Sequence, residues 1–295
     1  MTEPEEGTGV PIAEAAKALG VPMPTLRSWE LRYQIPPSAR ESGRHRRYTP
    51  TELHALRLMR DEIARGKRAS VAAISVRELL GLAGPAAEFV RRILVASDAM
   101  NSAEIRRELT AASELLGLGR CIDDVLLPSL RQIGSWWESG RCDVDQERLT
   151  TEAARAWLDK QSAFAPAPRS SSPVLLACGP RDLHTVGIEC LSVLLRYRGW
   201  SCRVLGARTS MKTLTTAAQA TGATAVVVVS HLSTGRRSAV EALQAVQDLG
   251  ISAFYAGNAF SSPRSRRGLP GTYLGDKLEK ACAVLEVGLS AAGPA

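Results

Sequence analysis

Hydrophobic positions recur along this chain with three different periods. From Val10 to about Gly81 the spacing is that of short helices. Ile12, Ala15, Ala16 and Leu19 make one apolar stripe over Pro11–Leu19, Gly20-Val21 breaks it, and a second helix is predicted from about Pro24 to Tyr33. An Arg-rich interruption follows, after which Thr51-Glu52-Leu53 opens another helix. Gly81-Leu82-Ala83-Gly84-Pro85 closes the stretch, since clustered Gly and Pro end helices. From Ala86 to Phe164 the period is helical throughout, with Ile122, Val125, Leu126, Leu130 and Ile133 at i, i+3, i+4 spacing. Four helices are predicted, at 86–97, 102–117, 119–138 and 144–163. Residues 165–173, rich in Pro and Ser, read as an exposed linker.

After the linker the period changes to short apolar runs alternating with helical stretches. Val174–Cys178, Ser201–Leu205, Ala225–Val229 and Ser252–Tyr255 read as buried strands, and 186–198, 211–221 and 236–249 as the helices between them. A βα repeat of this kind predicts a parallel sheet in a flavodoxin-like (Rossmann-like) α/β domain, with ligands held by the loops at the carboxyl ends of the strands. The fold expected is therefore multidomain: a winged helix-turn-helix head over 1–81, a four-helix bundle over 86–164, the linker, and an α/β domain over 174–290.

Composition narrows the class. With 295 residues, 45% of them apolar and 23% charged, the chain can bury a core and is neither a disordered, a collagen-like nor a small disulfide-stapled protein. MTEPEEGTGV lacks the basic-then-apolar order of a secretory signal, and no run approaches the roughly 18 apolar residues of a membrane span, so a cytoplasmic location is expected. The six cysteines contain no C-x-x-C pair and are expected to be buried thiols rather than a zinc cage or a disulfide framework. The net charge of +7 raises the question of a nucleic-acid partner, but its distribution is uneven. Residues 27–68 carry 11 basic against 5 acidic side chains, 81–165 carry 10 against 13, and 166–295 carry 14 against 7.

The two N-terminal helices and their tight turn form a helix-turn-helix, whose second helix enters the major groove. Arg27, Trp29, Arg32 and Tyr33 on it are candidate DNA contacts. Arg44, His45, Arg46, Arg47 and Tyr48, around the Gly43 turn, read as a β-hairpin wing along the phosphate backbone. The series Thr25-Leu26-Arg27-Ser28-Trp29-Glu30-Leu31-Arg32-Tyr33, then Gly43-Arg44-His45-Arg46-Arg47-Tyr48, then Thr51-Glu52-Leu53 resembles the winged-helix head of MerR-type transcription regulators over about residues 10–80. The resemblance implies a double-stranded DNA operator as partner. No cysteine follows the head before Cys121, which argues against a cysteine-based metal sensor.

Candidate chemistry in the α/β region lies at three strand ends. Asp182-Leu183-His184-Thr185-Val186-Gly187 follows the first strand, Ser230-His231-Leu232 the third and Gly257-Asn258 the fourth. Together these D-x-H-x-x-G, S-x-L and near G-G elements resemble the cobalamin-binding domain of corrinoid-dependent enzymes and sensors. The resemblance implies His184 as the lower axial cobalt ligand, with Asp182 accepting from its other ring nitrogen and Ser230 supporting Asp182. Gly187 would leave room for the nucleotide tail, and Leu232 and Gly257-Asn258 would line its slot. Asn258 stands where the family has a second glycine, and its tolerance of positive φ is expected to keep the slot open.

A DNA-reading head joined through four helices to such a domain resembles the cobalamin-dependent light-responsive repressors of the CarH and LitR type. In that group a bundle tryptophan, followed ten and eleven residues later by Glu-His, caps the upper face of the cofactor. Here Trp137 precedes Glu147 by ten, Arg148 stands in place of the His, and Glu138 occupies the position after the tryptophan where the light-responsive members often have a cobalt-capturing His. Trp136 and Trp137 cannot share one helix face, so one of them is expected in the bundle core or at an interface. The function implied is a DNA-binding regulator, a repressor and not an enzyme, that senses adenosylcobalamin and light through dimers or tetramers. The alternative is a light-insensitive corrinoid sensor.

Overall fold

A computed structural model describes residues 9–36, 47–64, 66–80, 84–138 and 142–291. The chain divides into two compact units, Met1–Ala87 and Glu88–Ala295.

In the first unit, strand β1 (Val10–Pro11) precedes α1 (Ile12–Leu19) and α2 (Met23–Tyr33); β2 (Arg47–Tyr48), α3 (Pro50–Ala64) and α4 (Ala69–Leu80) follow. The turn between α1 and α2 depends on Gly20, which takes φ 64° as the left-handed C-cap of α1, a conformation that costs other residues a Cβ clash. At the start of α3 the Thr49 N–H donates to Glu52 at 2.8 Å and the Glu52 N–H to the Thr49 hydroxyl at 3.2 Å, a reciprocal capping box. The helices bury one shared core that includes Ala15, Leu19, Leu26, Trp29, Tyr48, Leu56 and Met59. β2 pairs antiparallel with β1, Tyr48 opposite Val10, so this strand anchors the N-terminal arm to the core.

The second unit starts with helices α5 (Pro85–Asp98) and α6 (Ser102–Leu116). A long third helix comprises α7 (Leu118–Cys121), one π segment (Ile122–Leu126) and α8 (Leu127–Glu138), and α9 (Val144–Ala163) completes the bundle. The apolar spacing predicted these four helices closely, but the π segment has no sequence signature. Next come β3 (Val174–Cys178), α10 (Val186–Tyr197), β4 (Cys202–Gly206), α11 (Met211–Thr221), β5 (Ala225–Val229), α12 (Arg236–Asp248) and β6 (Ser252–Ala256). The short α13 (Pro263–Arg266), β7 (Thr272–Tyr273) and α14 (Leu278–Ala291) close the chain. The sequence reading stopped at β6; the two-residue β7 is too short to show a period. These five strands form one parallel sheet in the order β4-β3-β5-β6-β7. β3 and β5 are buried along their whole length, as continuous apolar strands covered on both faces must be. The strand order reverses between β3 and β5, which opens a crevice at their carboxyl ends.

The bundle and the sheet domain are joined by a buried carboxylate. Asp123, in the π segment, accepts the Leu278 N–H at 2.8 Å and the Glu279 N–H at 3.0 Å, so a bundle residue caps α14 of the other layer. Lys277 adds bonds to the Asp123 carbonyl at 3.3 Å and the Asp124 carboxylate at 2.9 Å. All six cysteines are buried thiols outside any disulfide, and burial pushes those of Cys121, Cys178, Cys202 and Cys282 up to about 12, which leaves them protonated and unreactive. No helix among the described residues is long and apolar enough to cross a membrane.

Removing the cap at Asp123 exposes its role directly. Asp123→Ala is expected to cost about 1–2 kcal/mol, the usual cost of a lost N-cap, and Asp123→Asn, which keeps one acceptor oxygen, to cost less. Urea unfolding followed by circular dichroism measures both, and equal stability of all three proteins would dismiss the cap as a structural tie.

Candidate cofactor site and DNA-reading face

The crevice between β3 and β5 is built from four loops laced by main-chain bonds. The Gly179 N–H donates to Val229 O at 2.8 Å, Arg208 N–H to Asp182 O at 2.9 Å, Thr209 N–H to Cys178 O at 3.1 Å, and Ser230 N–H to Ala256 O at 3.0 Å. The ends of β3, β4, β5 and β6 therefore form one frame, and Asp182 lies inside it.

Asp182 is the most heavily bonded group there. Its Oδ1 accepts the main-chain N–H of His184 at 2.9 Å and lies 2.8 Å from His184 Nδ1, while its Oδ2 accepts the N–H of His231. Burial alone would raise this carboxyl; the His184 and His231 N–H groups and the His184 ring outweigh it and hold the group below the ordinary carboxylate range. A carboxylate only accepts, so Nδ1 of His184 carries the proton and Nε2 presents its lone pair. The side chain of His184 is 62% exposed against 2% for Asp182, which leaves that lone pair accessible at the mouth of the crevice. This is the arrangement a metal-ligating imidazole needs: a fixed tautomer, a fixed direction and an open coordinating nitrogen.

The neighbouring residues differ in detail from expectation. Ser230 does not support Asp182: its hydroxyl donates to Leu232 O at 3.4 Å, and the bond assigned to it is made by the main chain of His231, because the loop after β5 turns its N–H groups rather than its hydroxyl toward the carboxylate. Sequence reasoning missed His231 as a site residue, since a main-chain donor leaves no trace in residue type. Its ring stands edge-on to His184 at 5.3 Å between centroids, and burial holds its imidazole below the usual range. The left-handed position in the loop after β6 is Gly257, with φ 103°, and not Asn258. A Cβ on Gly257 would run into the Ser230 carbonyl, so a glycine is required there, whereas Asn258 begins a 3-10 turn without special backbone demands. At Gly187, in the first turn of α10, nothing lies within 4 Å of where a Cβ would sit. Leu232 is exposed at the crevice mouth.

On the bundle, Trp136 is 6% exposed and packs with Ile133, Cys142 and Leu94, while Trp137 is 49% exposed. The core member of the pair is thus Trp136, and Trp137 is the one presented outward. Glu138 is exposed beside it. On α9, Glu147 accepts the Thr151 hydroxyl at 3.0 Å, and Arg148 is exposed.

In the head, Arg27 and Arg32 are exposed on α2 and Tyr33 is half-buried against the core. Trp29 and Tyr48 are corrected: both are buried in the hydrophobic core and cannot reach a groove. Trp29 falls on the same face as Leu26, three residues earlier, so its ring is drawn inward with the apolar stripe. Arg47 is exposed and donates to Gly9 O at 2.8 Å, holding the arm beside β2. The remaining wing positions, Arg44, His45 and Arg46, lie outside the described residues.

Comparison with known proteins finds matches over the head and over the helical bundle. Residues 10–75 match the MerR HTH family regulatory protein, and residues 89–160 match the B12 binding domain. The chain is 33% identical over 205 residues to the HTH-type transcriptional repressor CarA of Myxococcus xanthus, covering 67% of this chain and 68% of CarA. It belongs to the CarA/CarH family of transcriptional repressors. The identity to the CarH repressor of the same organism is 31% over 208 residues, covering 66% and 69% of the two chains. Among solved structures, the Methanosarcina barkeri monomethylamine corrinoid protein superposes with a TM-score of 0.55 at 14% identity, over 68% of this chain and 98% of that one. This last likeness concerns the fold. This CarA/CarH-family member is accordingly a transcription regulator with a MerR-type DNA-binding head and a B12-binding domain.

Two substitutions separate fold from recognition in the head. Trp29→Ala is expected to destabilise it by about 3–5 kcal/mol through loss of a buried aromatic. Arg27→Gln should leave the melting temperature unchanged and weaken DNA binding with a shallower salt dependence, as loss of one phosphate contact requires. Thermal melts and fluorescence-anisotropy titrations at two salt concentrations distinguish the effects, and a Trp29→Ala head as stable as the original would contradict its placement in the core.

Proposed function

We propose that this regulator represses transcription under the control of adenosylcobalamin, with His184 holding cobalt from below and Trp137, Glu147 and Arg148 covering the upper face. The observation that carries the reading is the Asp182–His184 pair: a buried carboxylate fixes the proton on Nδ1 and leaves Nε2 exposed at the strand-end crevice. Gly187 and Gly257 fit the same group, one leaving open space beside the ligand and the other allowing two loops to approach closely. When bound, adenosylcobalamin supplies a cobalt–carbon bond that light can cleave. Trp137, half-exposed next to a buried partner, offers an aromatic face for an adenosyl group, and Glu147 a carboxylate for ribose hydroxyls. DNA would be read by Arg27, Arg32 and Arg47, with dimers or tetramers placing several heads on one duplex so that assembly amplifies operator affinity.

A second reading, corrinoid sensing without light, is favoured by one observation. Residues 88–295 contain two histidines, His184 and His231, both at strand ends, so the bundle has no imidazole to offer cobalt from above. Glu138 and Arg148 stand where the light-responsive group has histidines, and an imidazole site accepts a carboxylate less readily.

Absorption spectra and DNA mobility of the full chain loaded with adenosylcobalamin, in the dark and after green light, test the two. The first reading expects a dark complex that shifts operator DNA and loses that shift on illumination. Unchanged mobility with an ordinary cobalamin spectrum selects the second reading. His184→Ala is expected to abolish cofactor retention on gel filtration in either case; retention equal to the original protein sinks both.

A further inference from the structure

One guanidinium ties the helical bundle to the residue that follows His184. Arg155, on α9, donates through Nη2 to the Thr185 hydroxyl at 2.9 Å, through Nε to Glu189 at 3.2 Å and through Nη1 to Glu152 at 2.8 Å. Thr185 is the N-cap of α10, and the Glu189 N–H returns to the Thr185 carbonyl at 3.0 Å. Arg155 thus grips the first turn of α10 at both ends while Glu152 braces it from its own helix. A planar fork with three engaged nitrogens fixes orientation as well as distance, which a flexible ammonium cannot do.

The placement of this contact gives it meaning. Arg148, Glu152 and Arg155 follow one another at i, i+4 and i+7, so they lie on one face of α9. That helix carries Glu147 and Arg148 at one end and the grip on Thr185 two turns along. On the other side of Thr185, His184 is held by Asp182 through its own N–H and ring. A continuous chain of directed bonds therefore runs from the helix over the upper face to the side chain assigned to the lower one.

We propose that Arg155 is a positioning residue that couples the cap to the cobalt-ligand loop, keeping the first turn of α10, and with it His184, in register with α9. The proposal rests on the cofactor reading above for the role of His184. By linkage the coupling acts in both directions: displacing α9 loosens the ligand loop, and occupancy at His184 favours the docked α9.

The test uses the full-length protein with Arg155→Met, Arg155→Lys, Thr185→Val and the Arg155→Met/Thr185→Val double variant. Amide hydrogen exchange over residues 179–189 is measured without cofactor, and adenosylcobalamin affinity and the absorption of nitrogen-ligated cobalt are measured in the dark. Arg155→Met and Thr185→Val should each speed exchange in that segment, leave β5 and β6 protected, and weaken binding about tenfold, the scale of a lost charge-assisted hydrogen bond. Both should also raise the fraction of cobalt lacking the nitrogen ligand. Arg155→Lys should restore only part of the loss, and the double variant should lose little more than either single, as partners in one contact do. Exchange and affinity unchanged in Arg155→Met, or losses that multiply in the double variant, overturn the proposal. If Arg155→Met fails to fold, Thr185→Val carries the test, since it removes the acceptor at nearly constant volume. Wild-type protein that binds no cobalamin while its loop responds to Arg155 refutes the cofactor reading and leaves the clamp standing; normal binding with an indifferent loop refutes the clamp alone.

Discussion

The buried carboxylate of Asp182 is the constraint around which the sheet domain's functional end is organised. A carboxylate removed from water must be compensated by several donors or be protonated. Here the donors come from two separate loops, after β3 and after β5, so satisfying the charge also closes the crevice and aims the imidazole. Electrostatic necessity and ligand geometry are thus the same set of bonds. The close approach of the β5 and β6 loops at Gly257 keeps His231 where its N–H can reach.

A second buried carboxylate, Asp123, does for the two layers what Asp182 does for the loops. It satisfies free N–H groups at the start of α14 from within the bundle. Beside it, Lys277 bonds Asp124, and Arg155 bonds Thr185 and Glu189, across the same boundary. The B12-binding match over 89–160 and the Asp182–His184 pair are therefore parts of one compact unit.

Much of this was legible in the residues, for identifiable reasons. β3, β5 and the four bundle helices bury uniform stripes, so their periods survive in the sequence, and Asp182 and His184 stand out because polar residues after an apolar strand have few structural uses. Contributions made through the main chain were not legible: the His231 N–H does what Ser230 was expected to do, and any residue could supply it. Trp29 and Tyr48 misled because an aromatic beside arginines suits a nucleic-acid surface and a small core equally well; the spacing to Leu26 decides, and it favours the core. The π segment and the two-residue β7 carry no period at all.

The π segment has a consequence for the paired tryptophans. A π turn holds one residue more than the α-helical path it replaces, and one residue corresponds to about 100° of rotation on a helix. The segment Ile122–Leu126 therefore acts as a phase shifter, setting which flank of α8 faces inward. With Trp136 inside and Trp137 outside, the chain sits at one setting of that dial. Winding the same residues as a regular α-helix would advance α8 by one position and put Ser135 in the core slot with Trp136 outside, whereas deleting one residue from the turn would keep Trp136 inside, so which aromatic faces outward is written upstream of it, in the count rather than the kind of amino acids.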